Sequence, residues 1–384
     1  MKQGWEVKKL GDVCEVEYGT RVVNKRDGGT IYPVYGGGGA TFSMDIYNRE
    51  NCFIVARFAM SQQCTRFVEG KFFLNDSGLS VKPKNIQYIL QNFLNLQLLY
   101  LNDHIYSLAR GAAQKNLDVP AFRNIEVSFP KSIQEQQRIV TILDEAFAAI
   151  AQAKANAEQN LKNAKELFES YLQSVFKNKG DGWEEKTLEQ VSATFGRGKS
   201  RHRPRNYEKL YGGNYPFIQT GDIRSCNHYI TDYSQTYSEL GLAQSKLWPA
   251  GTICITIAAN IAETGVLTFE ACFPDSVIGL VVNNKVANRD FVEYLLQSFK
   301  ARIQALGKGS AQANINMGTF ENELFPFPSV EGQEEIVQKL DALSAETKQL
   351  EAIYQQKIND LDELKKSILQ KAFAGKLNTT VLVA

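Results

Sequence analysis

Histidine is scarce in this chain of 384 residues, and the six cysteines form no C-x-x-C pair. His104, His202 and His228 are scattered. Cys14, Cys52, Cys64, Cys226, Cys254 and Cys272 have no histidine at a metal-ligand spacing. A zinc site is therefore not expected, and the thiols read as free and buried, as in a reducing compartment. No apolar run approaches the roughly 20 residues of a bilayer span, and no signal-peptide pattern opens the chain, so a soluble, intracellular, cytoplasmic protein is expected. Charge of one sign is lacking too. With 43 Lys+Arg against 42 Asp+Glu the formal net charge is +1. A field over the whole molecule does not point to a polyanion, so any such footprint has to be local.

What the chain does contain, it contains twice. "GWEVKKLGDVCEVEYGT" (4–20) returns as "GWEEKTLEQVSATFGRG" (182–198), "IYPVYGGGG" (31–39) as "NYPFIQTGD" (214–222), and "FLNDSGLSV" as "CFPDSVIGLVV". "GAAQKNLDVPAFRNIEVSFP" (111–130) matches "GSAQANINMGTFENELFPFP" (309–328). Behind each copy, "QQRIVTILD" matches "QEEIVQKLD", and "ESYLQSVFKNK" matches "KSILQKAFAGK". The order is globular half, helix, globular half, helix. In the globular halves "NCFIVAR" and "GTICITIAAN" read as buried strands, and spacings of three and four predict helices near 86–101 and 288–305. The connectors carry seven-residue periodicity without Pro or Gly. One seam of the first has Phe147, Leu161, Phe168 and Val175, with Lys154 as the exception, and the other has Leu143, Ile150, Ala157, Ala164 and Tyr171. In the second, Leu340, Tyr354, Leu361 and Ile368 alternate with Leu343, Leu350 and Leu364, while Thr347, Lys357 and Lys371 interrupt. Such periodicity predicts long coiled-coil helices, each about 65–70 Å at 1.5 Å per residue. The fold class read from this is α+β, with two similar strand-rich domains joined by two long antiparallel helices.

Catalytic signatures are missing. The stretch from Ala193 to Ser200 is one glycine short of a phosphate loop, and Pro204 opposes the helix that such a loop needs after Lys199-Ser200. "GGGGA" (36–40) precedes "TFSMDIY", which does not open a helix, so it reads as a turn or a close backbone approach. No Asp-Pro-Pro or Asn-Pro-Pro followed by an aromatic occurs, as amino-group methyltransferases use. "FPDSVIG" has no acid-x-Lys beyond it, as nucleases use. The chain reads as a binder.

Binding residues are concentrated. "FGRGKSRHRPR" (195–205) alternates Arg197, Lys199, Arg201, Arg203 and Arg205 with small or polar residues. Extended, it would turn its cations to one side, a geometry for tracking phosphates. The alternative is a solvated basic loop. The first half has a thinner set at Arg21, Lys25 and Arg26. Side chains able to read base edges follow in both halves: Arg57, Gln62, Gln63 and Arg66, then Gln219, Thr220 and Arg224. Matched loops carry Arg110, Gln114, Lys115 and Asn116 in one copy and Lys308, Ser310, Gln312 and Asn314 in the other. Two copies of one domain with different polar residues in corresponding loops suit two different short sequences.

This layout resembles the specificity (S) subunit of type I restriction–modification systems over nearly the whole chain. The resemblance rests on the "GW-x-x-K-x-L" starts at Gly4 and Gly182, on "YPFIQTGDI", on the "Q-x-N-(I/L)" loops at 114–117 and 312–315, and on "Gln-x-x-Ile-Val-x-x-Leu-Asp" ending at Asp144 and Asp341. "IYPVYGGGG" is the less typical form of its element. The resemblance implies target-recognition domains at 1–130 and 182–328, helical spacers at 131–181 and 329–376, and a tail at 377–384. Each domain would read one half of a bipartite, asymmetric double-stranded DNA target, with the helices as a ruler for the unread gap. It further implies no catalysis by this chain and no cofactor on it. Two methyltransferase subunits would bring S-adenosylmethionine to adenine N6, and restriction subunits would bring ATP and Mg. Three other readings compete: the specificity chain of a fused methyltransferase-endonuclease, a self-contained enzyme with an unrecognised site, and a coiled-coil protein scaffold.

Overall fold

The computed structural model describes residues 4–202, 204–258, 261–307, 315 and 317–377. They divide into two compact units, the first made of Met1–Glu158 with Gln355–Ala384 and the second of Gln159–Tyr354.

In the first unit, strands β1 (Trp5–Lys9), β2 (Cys14–Tyr18), β3 (Tyr32–Tyr35), β4 (Ser43–Met44), β5 (Arg49–Ala56), β6 (Thr65–Leu74) and β7 (Gly78–Pro83) precede helix α1 (Gln91–Tyr100). A small hairpin, β8 (Ala109–Arg110) and β9 (Asn116–Leu117), and then β10 (Glu126–Pro130) lead into α2 (Ile133–Lys177). The sheet order is β2-β7-β5-β6-β3-β4, and β1 pairs separately with β10. The run Cys52–Ala56 is apolar without interruption because both faces of β5 are covered. Its period-two alternation sends Phe53 and Val55 into the main core and Cys52 and Ile54 into a second cluster.

The second unit repeats the plan with β11 (Glu184–Lys186), β12 (Ser192–Arg197), β13 (Tyr211–Phe217), β14 (Tyr229–Ile230), β15 (Gln235–Tyr237), β16 (Ile253–Thr256), β17 (Thr264–Leu267) and β18 (Val277–Val282). Helix α3 (Arg289–Gly307), β19 (Phe325–Phe327) and α4 (Val330–Phe373) follow. Its sheet runs β12-β18-β16-β17-β14, so β12-β18-β16-β17 reproduces β2-β7-β5-β6. Again Ile253 and Ile255 face one cluster and Cys254 another. All six cysteines are free, five of them buried and Cys226 half-buried. Burial pushes the Cys14 thiol up to about 12. No helix among the described residues is long and apolar enough to cross a membrane.

The repeated motifs acquire physical roles. In unit one, Trp5 meets Phe93 edge-on with ring centroids 6.2 Å apart, and Phe93 meets Phe373 at 5.4 Å. In unit two, Trp183 lies 6.3 Å from Phe291, which lies 5.4 Å from Phe176. The third ring of each trio comes from the end of a long helix, Phe373 from α4 and Phe176 from α2. The helix that follows each copy thus ends in the core of the other copy's unit. Each fully buried Phe contributes on the order of 1.5–3 kcal/mol by transfer alone. The "Gln-x-x-Ile-Val" glutamines are fully buried. Gln136 accepts from the Leu90 amide at 2.8 Å and donates to the carbonyls of Pro130 (2.8 Å) and Tyr88 (3.0 Å). Gln333 accepts from the Asn288 amide at 2.7 Å and donates to the Pro328 carbonyl at 2.9 Å. Each thereby joins the head of a long helix to the head of its domain helix.

Within unit one α2 and α4 run antiparallel. Lys365 stacks on Phe147, and Lys154, the polar exception on its seam, donates to both Asp362 oxygens at 2.7 Å. The structure differs from the heptad expectation at Tyr171, Leu350 and Leu364, which are exposed. Leu172 and Ile358 are buried instead, and Thr347 is a buried seam residue whose hydroxyl bonds the Leu343 carbonyl. The cause is helical drift, since 3.6 residues per turn does not hold a strict 3.5 repeat. The seam takes two successive four-residue steps at Ala164–Phe168–Leu172 and again at Leu343–Thr347–Glu351, which rotates later heptad positions outward.

Unit two also holds a buried ionic cluster. His228 Nε2 lies 3.2 Å from Asp290, and its Nδ1 lies 2.5 Å from the fully buried Glu293. Thr264 and Gln297 donate to Glu293, Arg289 pairs with Asp290, and Tyr294, packed on His228, donates to Asp341 of α4. Desolvation opposes charging His228, but the two carboxylates outweigh it and raise its pKa from 6.5 to about 9. The raised value means that this stabilisation is complete below about pH 6.5 and is lost as pH rises through about 9. Thermal unfolding followed by tryptophan fluorescence, to which unit two contributes Trp183 and Trp248, should show a midpoint falling from about pH 7 to above pH 9. Removing the ring with His228→Ala should cost roughly 3–5 kcal/mol at pH 6.5 by stranding a buried carboxylate.

Candidate nucleic-acid interface

In each unit the loops at one end of the sheet are tied into a single surface. In unit one the Thr20 amide bonds the Leu74 carbonyl at 2.9 Å, and Gly37 bonds Ser77 Oγ at 3.3 Å. A Cβ on Gly37 would stand 2.7 Å from the Phe58 carbonyl, whereas Gly38 and Gly39 face open space. The glycine run therefore combines a close backbone approach with an open loop tip. The β5–β6 loop zips to the β8–β9 hairpin: Met60 amide to Lys115 carbonyl at 2.9 Å, Leu117 amide to Arg57 carbonyl at 2.9 Å, Ala59 amide to Asn116 Oδ1 at 3.3 Å. This brings Arg57 beside Lys115 and Asn116, with Arg110 opposite Asn116 in the hairpin, whereas the Gln62 carbonyl accepts from Asn102 Nδ2 at 2.7 Å and Gln63 follows it in the β5–β6 loop. Arg57 is fixed between the rings of Tyr18 and Phe58 and donates to the Asp76 carbonyl at 3.1 Å. Arg110 pairs with Asp118 at 2.5 Å and Arg26 with Asp27 at 2.8 Å. Arg21 and Lys25 are exposed in the segment after β2, and Arg66 lies at the start of β6.

Unit two uses the same frame with different side chains. A bulge in β12 between Ser192 and Thr194 shifts its register, so Arg197 pairs opposite Ile278 as Tyr18 pairs opposite Leu79. Gly198 then corresponds to Gly19. The Gly198 amide bonds the Val277 carbonyl at 2.9 Å, and the Gly19 amide bonds Gly78 at 3.1 Å. A Cβ on either would collide with the β6–β7 or β17–β18 turn, at 1.9 Å from Asn75 O or 2.4 Å from Phe273 O. In both units a guanidinium caps the carbonyl of the turn aspartate. Arg57 does so at Asp76, and Arg197 Nε does so at Asp275 at 2.8 Å.

The basic run does not act as five equivalent cations. Arg197 and Arg205 converge on Asp275, the latter at 2.8 and 2.9 Å from its carboxylate oxygens. Lys199 and Arg201 are exposed on either side of the buried Ser200, and their backbone is held by Ser245 Oγ on the Lys199 carbonyl (2.8 Å) and Gln244 Oε1 on the Arg201 amide (2.6 Å). Arg205, Gln219 and Thr220 line an open cleft of about 330 Å³ with Tyr211, Phe217 and Gln235. Gln219 and Asp222 form a reciprocal capping box at the short helix Thr220–Ser225, on which Arg224 is exposed. Arg203, Lys308, Ser310, Gln312 and Asn314 lie outside the described residues.

Sequence reasoning overlooked several participants. Lys246 stands 3.5 Å above the Trp248 ring, and its pKa is lowered by burial and by the neighbouring charge of Lys199. Tyr18 and Phe58 make the platform for Arg57. The Lys-x-Trp spacing was the visible signal for Lys246; Gln235 had none. Among the described residues no group of three or more His, Cys, Asp or Glu is arranged to hold a metal ion.

Comparison with known proteins adds independent findings. The family model described as the type I restriction modification DNA specificity domain matches residues 2–163 and again 180–360. A Methanocaldococcus jannaschii protein named for the specificity subunit of the type I restriction enzyme MjaX is 21% identical over 308 residues, covering 77% of this chain and 68% of that protein. The StySPI type I restriction enzyme specificity subunit of Salmonella potsdam is 23% identical over 208 residues, 52% of this chain and 44% of its own. In fold, the HsdS subunit of Thermoanaerobacter tengcongensis superposes with a TM-score of 0.60 at 18% identity, over 98% of both chains. A chain from a study of complex assembly and conformational transition of the type I R-M system reaches 0.80 at 18% identity, over 98% of this chain and 99% of that one.

If Lys199 and Arg201 contact phosphates, Lys199→Ala with Arg201→Ala should weaken binding to every duplex alike. The slope of log affinity against log salt should fall by about 2, measured by fluorescence anisotropy across a salt series.

Proposed function

Because the chain belongs to the type I restriction–modification DNA specificity family, we propose that it is the non-catalytic subunit that reads a bipartite, asymmetric DNA target. In this role it directs partner adenine-N6 methyltransferase and restriction subunits to that target. One observation carries the reading: the same sheet frame occurs twice, and its end loops present different side chains at matched places. At the turn aspartate the capping guanidinium comes from β5's loop in one unit and from β12 in the other. Conserved framing with divergent tips is what two unlike half-sites require, since backbone contacts position a protein while base-edge contacts specify sequence.

The long helices α2 and α4 are, on this reading, the ruler for the unread gap and the docking surface for two methyltransferase subunits. S-adenosylmethionine, ATP and Mg would be bound by those partners and by the restriction subunits, and the chemistry would be theirs. This chain's contribution is to bind, orient and discriminate.

The test is domain exchange. Replacing residues 182–328 with the corresponding domain of another family member, in a cell that expresses the partner subunits, should change one half of the methylated motif. The other half should stay as it was. A motif that changes in both halves, or in neither, would show that the two domains do not read half-sites independently.

A further inference from the structure

The cleft of unit two contains a hydrogen-bond relay whose polarity is fixed by the backbone. In the capping box the Gln219 side chain faces the Asp222 amide, whose N–H bonds the Gln219 backbone carbonyl at 3.1 Å, and an amide N–H can only donate. The Gln219 atom facing it is therefore the oxygen, and its nitrogen is the end that reaches Gln235 Oε1 at 2.7 Å. Gln235 accepts with its oxygen and so must turn its NH2 outward. No described residue takes that nitrogen, and the Gln235 side chain is exposed in the cleft. Its backbone is held by β13, where it pairs opposite Phe217. The relay also engages both ends of the Gln219 amide, leaving it without the free oxygen–nitrogen pair that a two-point adenine contact needs.

Arg205 supplies donors from the same cleft. Its Nη2 is anchored on both Asp275 oxygens, which holds the guanidinium at the cleft and leaves Nε and Nη1 without a bond among the described residues. Asp275, the nearby carboxylate, is thereby neutralised by Arg205 and its carbonyl is covered by Arg197. The two side chains whose hydrogen bonds orient them here, Gln235 and Arg205, thus both turn donors into the cleft, which Asn206, Thr220 and Ser276 also line. In the major groove guanine alone presents two adjacent acceptors, N7 and O6. Adenine and cytosine present an amino group that would meet an N–H head-on, and thymine has one acceptor beside a methyl group.

We infer that Gln235, with Arg205, is the specificity-determining pair that selects a guanine in the half-site read by the second domain, and that Gln219 is the residue that positions Gln235. This rests on the DNA-reading function proposed above and deepens it. Gln235→Glu keeps the shape and replaces the outward donor by an acceptor, so it should turn the preference at a single base pair.

The experiment is selection from duplexes randomised across the second half-site, using the full chain assembled with its methyltransferase partner. The wild-type complex should enrich one invariant guanine there. Gln235→Glu should lose that guanine preference by about tenfold or more in favour of cytosine or adenine, with the other positions and the first half-site unchanged. Replacing that guanine by 7-deazaguanine, which removes the N7 acceptor, should weaken the wild-type complex by about tenfold and needs no variant to fold. Retained selection of the first half-site shows that the variant is folded. If Gln235→Glu enriches the same second half-site as wild type, or if 7-deazaguanine is tolerated, the Gln235 inference is overturned while two-part reading stands. If the wild-type complex enriches nothing in the second half-site, the two-part reading fails as well.

Discussion

The aromatic trio at the base of each unit is the contact on which the rest depends. Trp5, Phe93 and Phe373 form one, and Trp183, Phe291 and Phe176 the other, with Phe–Phe separations of 5.4 Å in both. Because the third ring belongs to the helix that follows the other copy, neither domain completes its core with its own sequence neighbours alone. The buried glutamines Gln136 and Gln333 do the complementary job at the heads of the helices, replacing water on backbone groups that would otherwise be orphaned. Duplication of the helices together with the domains follows directly: a domain copied without its helix would lack the ring that closes its partner.

With the core closed in this way, the loops that join the strands are free to differ. Gly19 and Gly198 mark the limit of that freedom, since a side chain at either would collide with the adjoining turn. Beyond them the units diverge. One builds a platform of Tyr18 and Phe58 under Arg57, and the other a donor-lined cleft around Arg205 and Gln235. A shared frame bearing unlike chemistry is what the proposed reading of two unlike half-sites requires of one fold.

Much of this was legible in the sequence because the repeated residues are the ones that close cores. The "Gln-x-x-Ile-Val" heads and the Leu-Gln-x-x-Phe tails supply buried contacts, and the half-buried tryptophans of the "GW" starts pack against the same cores. The seam was legible in outline, but Tyr171 yielded to Leu172, since a strict heptad ignores the drift of a real helix. The loop ends were less legible. Arg205 meets Asp275 across seventy positions of chain, and a β12 bulge that no composition signals moves Gly198 into register with Gly19. Gln219 is marked by the "YPFIQTGDI" motif in which it stands. The orientation of Gln235 depends on the β13–β15 pairing and on a backbone amide, neither of which local sequence displays.

The central claim is that this chain alone decides where a partner methyltransferase acts. Mapping N6-methyladenine across the native genome, with and without the chain and with the partner methyltransferase expressed in both cases, tests it most directly. The expected result is one two-part motif with a fixed gap whose methylation disappears when the chain is removed. An unchanged methylation pattern would contradict the claim and favour a protein scaffold with a solvated basic loop.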